Sequence, residues 1–386
     1  MRNVNLSGLR SHNTARVLGL LRAAGGDGAS RLELAERTGL TPQAVSKITA
    51  RLREEGLVAG AGRGPATGGK PRTLLRLVPD AAHAVGLHLD RDRLTAVLVD
   101  LAGVTVAVRT GPLDLGAGPA KVVAVAAAEV AALRGAGTLM GVGVAMPGPL
   151  DHVAGVPHRV TGFPAWDGFP LRDALRDALR DVLRHVSGEA LEALEGVVGG
   201  AAAPVGTGPC GGTPPVVVDK DTNAAALALA LREPGGSSFA YVHAGTGLGA
   251  GLVLGGAVYR GARTGAGEFG HQTVQLDGAP CGCGGRGCLE ALCLAAVARG
   301  DLDGAARVLG VGVANLAGLL DVDRVLLGGR VVAKAPERFV RGVGAALAER
   351  ARRAGGPEVP TALATGTPHL VAEGAAQLVL APVFGR

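Results

Sequence analysis

Residues 267–290 read Gly-Glu-Phe-Gly-His-Gln-Thr-Val-Gln-Leu-Asp-Gly-Ala-Pro-Cys-Gly-Cys-Gly-Gly-Arg-Gly-Cys-Leu-Glu. The segment holds one imidazole, His271, and three thiols, Cys281, Cys283 and Cys288, with glycines that let the backbone wrap a small centre. One His and three Cys make a complete tetrahedral set for zinc. No coordination position stays open, so a zinc held there is structural. Spacing alone leaves a second possibility, free buried thiols, because the pattern is not the common Cys-x-x-Cys. Cys293 reads as a packing residue on a following helix, and Cys210 has no evident role. Carboxylates flank the segment: Glu268 stands three residues before His271, Glu290 two after Cys288, and Asp221 further upstream ahead of Asn223. Carboxylates and an imidazole fixed by a metal loop suit a polyhydroxylated ligand, since each accepts from a hydroxyl. Taken singly, each carboxylate is more often a cap or a surface charge.

Outward from this segment, apolar runs alternate with helical patterns. Val85–Leu89, Leu94–Asp100 and Val104–Arg109 read as strands, Lys121–Leu133 as a helix, and Met140–Met146 as a buried strand leading into Pro147-Gly148-Pro149. Val216–Asp219 is a further strand running into a helix from Asn223, and Phe239–Tyr259 is a glycine-rich strand cluster. This alternation predicts an α/β domain with a mixed sheet. Residues 194–215, rich in Gly, Pro and Ala, read as a long surface loop. Gly245–Gly251 is a glycine-rich loop after a strand; such loops cradle phosphate, a weak signal in a chain with 64 glycines.

The first 57 residues hold three helical patterns. The first covers roughly Ser11 to Ala24. The second, Arg31–Thr38, starts at Ser30 with Glu33 three residues on, a capping box, and stops at Gly39. The third takes Thr41 as N-cap and Pro42 as its first residue and runs to about Glu55. Its buried stripe is Val45, Ile48 and Leu52. The opposite face, with Gln43, Ser46, Lys47 and Ala50, is small, polar and basic, as a helix in a major groove requires. Gly39-Leu40 is then the turn of a helix-turn-helix. Leu57–Ala59 and Thr73–Val78 read as two strands of a wing whose tip carries Arg63, Lys70 and Arg72. The candidate DNA contacts are Gln43, Ser46, Lys47, Arg63, Lys70 and Arg72. The bland alternative is a three-helix interaction module without DNA.

Charge points the same way. The chain has 386 residues, enough for two or three domains, and a formal charge of +6. Residues 1–80 carry 13 Lys and Arg against 6 Asp and Glu, so the whole excess sits in the first fifth. A phosphate-backbone partner calls for such a block, although charge alone also allows a solvated basic surface. Hydrophobic residues make up 47%, enough for a core, while aromatics are 2% and none precedes Phe163. Binding of single strands by base stacking is therefore disfavoured. The N-terminus lacks a signal-peptide pattern, and no apolar run of about 20 residues escapes Gly, Pro or charge, so no membrane span is expected. Five cysteines, three of them clustered, fit a disulfide framework poorly and a reducing cytoplasm better.

Together these residues resemble the ROK family (repressors, open reading frames and kinases), in its regulator branch with an N-terminal winged helix-turn-helix. The resemblance covers nearly the whole chain. It is carried by Gly267–His271 with Cys281, Cys283, Cys288-Leu289-Glu290, by Gly141-Val142-Gly143 with Pro147-Gly148 and Asp151, by Asp221–Ala226, and by Gly245–Gly249. It implies an actin-like two-lobed ATPase fold over residues 81–386, preceded by a winged helix over 1–80. Lobe one would span about 81–215 with a C-terminal helix at about 370–386, and lobe two about 216–369. By resemblance Asp221 matches a kinase catalytic base; Glu268, His271 and Glu290 match sugar-hydroxyl contacts; and His271, Cys281, Cys283 and Cys288 hold structural zinc.

Departures from the family pattern bear on the activity. Family kinases open with a phosphate hairpin Asp-x-Gly-Gly-Thr; here the stretch is His88-Leu89-Asp90-Arg91-Asp92. His88 replaces an acid that helps organise Mg²⁺, and Asp90 and Arg91 replace glycines that let amides approach phosphate. Two carboxylates there repel a triphosphate unless a cation intervenes. Lys220 stands where kinases place Asn before the catalytic Asp, and Gly162 where another Asn is expected. The segment between Glu290 and Gly310 is shorter than the family's, and that at 194–215 longer. The expectation is a cytoplasmic regulator, a repressor of double-stranded operator DNA. Its sugar-binding domain no longer uses ATP and Mg²⁺, and the chain forms a homodimer or homotetramer. The alternatives are an ATP-dependent sugar kinase with a fused DNA-binding domain and a zinc-dependent enzyme, the latter needing a coordination position that His/Cys₃ does not leave.

Overall fold

The structure is a computed structural model and describes residues 12–63, 72–133, 137–195, 213–233 and 235–386. Three helices open it: His12–Ala24, Arg31–Thr38 and Pro42–Glu54. The capping box forms, Ser30 Oγ accepting from the Glu33 N–H while the Glu33 carboxylate accepts from the Ser30 N–H. Thr41 Oγ1 caps the third helix by accepting from the Ala44 N–H. That helix buries Val45, Thr49 and Leu52. Ile48, expected in the buried stripe, is only partly covered. Thr49 takes its place because its hydroxyl donates to the Val45 carbonyl at 2.9 Å and needs no water. Strands Val58–Arg63 and Thr73–Leu77 pair antiparallel, and a short strand, Ala29–Ser30, joins the far side of Thr73–Leu77. The wing sheet thus has three strands rather than two.

Two five-stranded sheets follow. The first has the order 216–220, 138–146, 82–89, 93–100, 105–112. Its first three strands run parallel and the rest antiparallel, a mixed sheet. Val216–Lys220 therefore lies in the first lobe, although sequence places the lobe boundary ahead of it; the crossing comes after the strand. The helix that follows, Asp221–Arg232, begins at Asp221 rather than Asn223. The second sheet has the order 257–259, 248–254, 239–244, 324–328, 361–363. Helices Leu302–Leu320 and Pro336–Ala354 pack on each other beside it. Leu302–Leu320 is long and apolar enough to cross a membrane, the one such helix among the described residues; its Leu309, Val313 and Ala317 are buried in a core with Phe339 and Val343.

Helix Leu370–Leu380 returns the chain to the first sheet and also lies against Asp221–Arg232. The approach is close enough to require glycine. A Cβ on Gly143 would sit 1.7 Å from the Ala375 carbonyl oxygen, and one on Gly374 1.8 Å from that of Ala224. The turn Ala381–Phe384 then carries the chain end to the N-terminal domain. Val17, Leu18 and Leu21 share one core with Leu380, Val383 and Phe384 and with Ala82, Val97 and Val99 of the first sheet. Arg22 Nε donates to the Ala102 carbonyl at 2.8 Å, and its guanidinium lies 4.6 Å from the Phe384 ring centre. The winged helix is thereby packed onto the first lobe.

Candidate functional site

The metal-type cluster assembles as the sequence spacing suggests. The donor atoms of His271, Cys281, Cys283 and Cys288 all lie within 4.8 Å of one another. Cys283 Sγ and Cys288 Sγ are 3.7 Å apart, as are Cys281 Sγ and His271 Nδ1. A tetrahedral ion with metal–sulfur bonds of about 2.3 Å places its sulfurs about 3.8 Å apart, so the spacing fits a metal. No disulfide forms among the described cysteines. Cys293 is buried outside the cluster, its Sγ 3.6 Å from the Ala305 carbonyl, and packs as expected.

The cluster also positions the cleft. His271 ends the short turn Phe269–His271, and Cys288 is the N-cap of helix Leu289–Ala298, whose first turn carries Glu290. Asp221, Glu268, His271 and Glu290, far apart in sequence, all line one cavity between the two sheets, together with Asp90 and Arg91. Glu290 Oε2 accepts from the Leu248 N–H at 2.7 Å, at the Gly245–Gly249 loop. Lys220, buried at the end of its strand, donates to the Ala266 carbonyl at 2.6 Å and to Glu268 Oε1 at 3.1 Å. The lysine that replaces the expected Asn thus holds Glu268 in place. Asp221 accepts from the Thr222 N–H at 2.6 Å. Burial pushes its carboxyl up to about 7; the charges of Asp90 and Glu268 add to this, while the Thr222 N–H and Lys220 oppose it. A carboxyl so poised both accepts from and donates to a hydroxyl near neutral pH.

A second cavity, of about 570 Å³, shares Asp90 and His243 with the first and is also lined by His88, Tyr241, Gly329 and Arg330. Burial lowers the His88 imidazole to about 4 and lowers His243 as well, so both rings are neutral at pH 7. Tyr241 Oη lies 2.9 Å from His243 Nδ1. Arg330, from the second lobe, bonds Asp90 at 3.1 Å and Asp92 at 3.0 Å in the first lobe. This is the cation that the two hairpin carboxylates call for, and sequence did not assign it. The one signal was Gly328-Gly329-Arg330 at the end of an apolar strand.

In the N-terminal domain Gln43, Ser46, Lys47 and Ala50 are all exposed on one face of Pro42–Glu54, opposite its buried stripe. Arg63 ends the first wing strand, its backbone paired with Thr73, and Arg72 is exposed at the start of the second. Lys70 lies outside the described residues, as does Cys210.

Residues 213–299 match the model of the ROK family, and residues 7–64 that of the MarR family. A putative xylose repressor of Caldicellulosiruptor sp. (strain Rt8B.4) is 28% identical over 268 residues, 68% of this chain and 59% of that protein. The chain thus matches somewhat over half the length of that relative. The fold resembles that of a ROK family transcriptional regulator homologous to the E. coli MLC protein: TM-score 0.71, 21% identity, 97% of this chain and 96% of that one covered. It also resembles a ROK hexokinase from Thermus thermophilus: TM-score 0.57, 28% identity, 76% and 96% covered.

Proposed function

The chain carries a ROK family domain behind a MarR-type winged helix, and on that premise we propose that it is a DNA-binding transcriptional repressor, active in the cytoplasm, whose two-lobed domain binds a sugar effector. One observation carries the reading. The exposed Gln43, Ser46, Lys47 face belongs to a domain whose core is shared with the C-terminal end of the sugar-cleft domain. The similarity to a putative xylose repressor supports the same direction. Gln43, Ser46 and Lys47 meet base edges and phosphates in the major groove; Arg63, Lys70 and Arg72 meet the backbone from the wing. Asp221, Glu268, His271 and Glu290 bind the sugar hydroxyls. His271, Cys281, Cys283 and Cys288 hold structural zinc, which fixes the turn carrying His271 and the helix carrying Glu290.

Communication follows the packing. A ligand on Asp221 contacts the first residue of helix Asp221–Arg232, which lies against Leu370–Leu380. Glu373 ties these elements together, accepting from Arg232 at 2.6 Å and from Thr105 at 3.1 Å. The same C-terminal helix runs into Phe384, which packs under the winged helix. Closure of the cleft therefore moves the recognition helices of a dimer or tetramer, and operator half-site spacing, fixed by the DNA, penalises the movement.

Phosphoryl transfer is not the proposed output. His88, neutral at pH 7, offers no charge to Mg²⁺, and Arg330 occupies both hairpin carboxylates. Selection of bound sites from genomic DNA, with and without a panel of sugars, tests the reading. It expects a defined operator whose affinity falls with at least one sugar. Identical operator affinity throughout, or sugar-dependent ADP release in a coupled assay, refutes it.

A further inference from the structure

Besides the histidines His243 and His271, six Asp, Glu, Lys and Arg side chains line the cleft: Asp90, Arg91, Lys220, Asp221, Glu268 and Glu290. Five of them are accounted for. Asp90 is bonded to Arg330, Lys220 to Glu268, Glu290 to the Leu248 amide, and Asp221 to the Thr222 amide. Arg91 is the exception. It is half-buried, and its guanidinium forms no ion pair among the described residues. The side chain is nonetheless held. Its guanidinium carbon lies 5.6 Å from the Phe163 ring centre. Its backbone is pinned from both sides, the N–H donating to Asp90 Oδ1 at 2.8 Å and the carbonyl accepting from the Leu115 N–H at 3.1 Å. Gly247 leaves room for it, since a Cβ there would lie 3.4 Å from Arg91 Nη2 and 2.9 Å from Glu290 Oε2. The guanidinium therefore faces the space beside Glu290, a residue proposed to bind sugar hydroxyls.

An arginine in a sugar cleft, lying on an aromatic ring and in no ion pair among the described residues, is mismatched to a neutral sugar. Its planar fork suits a phosphate or carboxylate, which it bonds through two parallel N–H groups. From the geometry, and resting on the sugar-effector reading above, we infer that this cleft takes an anionic sugar, with Arg91 as the residue that reads the negative group. Three of the carboxylates around the cleft are paired with cations, Asp90 and Asp92 with Arg330 and Glu268 with Lys220. Glu290 beside Arg91 is bonded to the Leu248 amide alone among the described residues, so Arg91 is the cation left to offset it and to meet an anion.

The test is calorimetric titration of the full chain with matched ligands: glucose, glucose 6-phosphate and glucuronate, and N-acetylglucosamine with its 6-phosphate. At least one anionic sugar should bind about tenfold or more tightly than its neutral parent, as expected for a charge-assisted pair. Phosphate and carboxylate arms identify which anion is read. The ratio of anionic to neutral affinity should collapse in Arg91→Ala and survive in part in Arg91→Lys, which keeps the charge without the fork. Neutral sugars binding as tightly as their anionic partners, or a ratio unchanged in Arg91→Ala, overturns the inference and leaves the sugar reading intact. Binding of no sugar of either kind overturns both.

Discussion

Replacing Asp221 by Asn gives a carboxyl-shaped side chain that cannot ionise but still accepts from the Thr222 N–H. The carboxyl belongs to a group whose ordinary value is 3.8 and which burial raises to about 7. That is a roughly thousandfold difference in proton affinity, or about 4 kcal/mol at 1.36 kcal/mol per decade. Because the folded value lies above the unfolded one, the native chain keeps a proton that the unfolded chain releases between about pH 4 and 7. Stability therefore falls as pH rises through that window and levels off above it. The two proteins should be equal only below about pH 4; at pH 5 Asp221→Asn should already be the more stable by about 1.5 kcal/mol. By pH 8 the variant should be the more stable by a few kcal/mol, with about 4 kcal/mol as the ceiling. Trp166, the only tryptophan, is fully buried in the first lobe and reports its unfolding by fluorescence in urea at pH 5, 6, 7 and 8. Comparing the two proteins at each pH cancels the titrating groups that do not interact with Asp221, leaving its own charge and its coupling to Asp90, Lys220 and Glu268. A stability difference that stays constant from pH 5 to 8 would show that Asp221 is ionised throughout, and the account of its environment would be wrong.

Other perturbations probe the remaining parts. Cys283→Ser removes one of four donors, so zinc per chain by elemental analysis should drop below one and the melting temperature should fall; full metal retention would contradict the assignment. Lys47→Ala should reduce specific operator binding more than nonspecific binding. Arg72→Ala should weaken both alike and lower the salt slope of log K by about one; unchanged affinity in both variants would remove the recognition surface. Phe384→Ala opens a cavity beneath the first helix and deletes the ring under Arg22. It should cost about 3–5 kcal/mol and blunt any effector response, and an unaltered melting curve would mean that the two domains are not packed as described.

Most of the N-terminal domain was legible because its signals are local. Ser30 with Glu33, Gly39, and Thr41-Pro42 act within one turn of chain, and helix boundaries follow from them to within a residue. The Ile48–Thr49 exchange shows the limit of pattern alone. A threonine that satisfies its hydroxyl on its own helix is as buriable as an isoleucine, and only the packed helix reveals it. The His/Cys₃ cluster was equally legible, since three of its four candidate donors lie within eight residues, Cys281 to Cys288. The lobe boundary was not. Whether Val216–Lys220 belongs to the first sheet or the second depends on a pairing with residues 142–146, across more than 70 positions of chain.

By itself, the sequence determined the winged helix, the four candidate metal donors and the four polar residues of the cleft, because residue type and short-range spacing carry those. Only the tertiary structure decided which charges are already satisfied. Arg330 reaches Asp90 and Asp92 from 238 and more residues away, and Lys220 reaches Glu268 over 48. Among the described residues Arg91 is left without an ion pair for the same reason. Coulomb interactions depend on distance in space and on burial, and neither can be read from position along the chain. The joining of Val17, Leu18 and Leu21 to Phe384 is of the same kind: both ends of the chain carry apolar residues, and only folding shows that they cover each other.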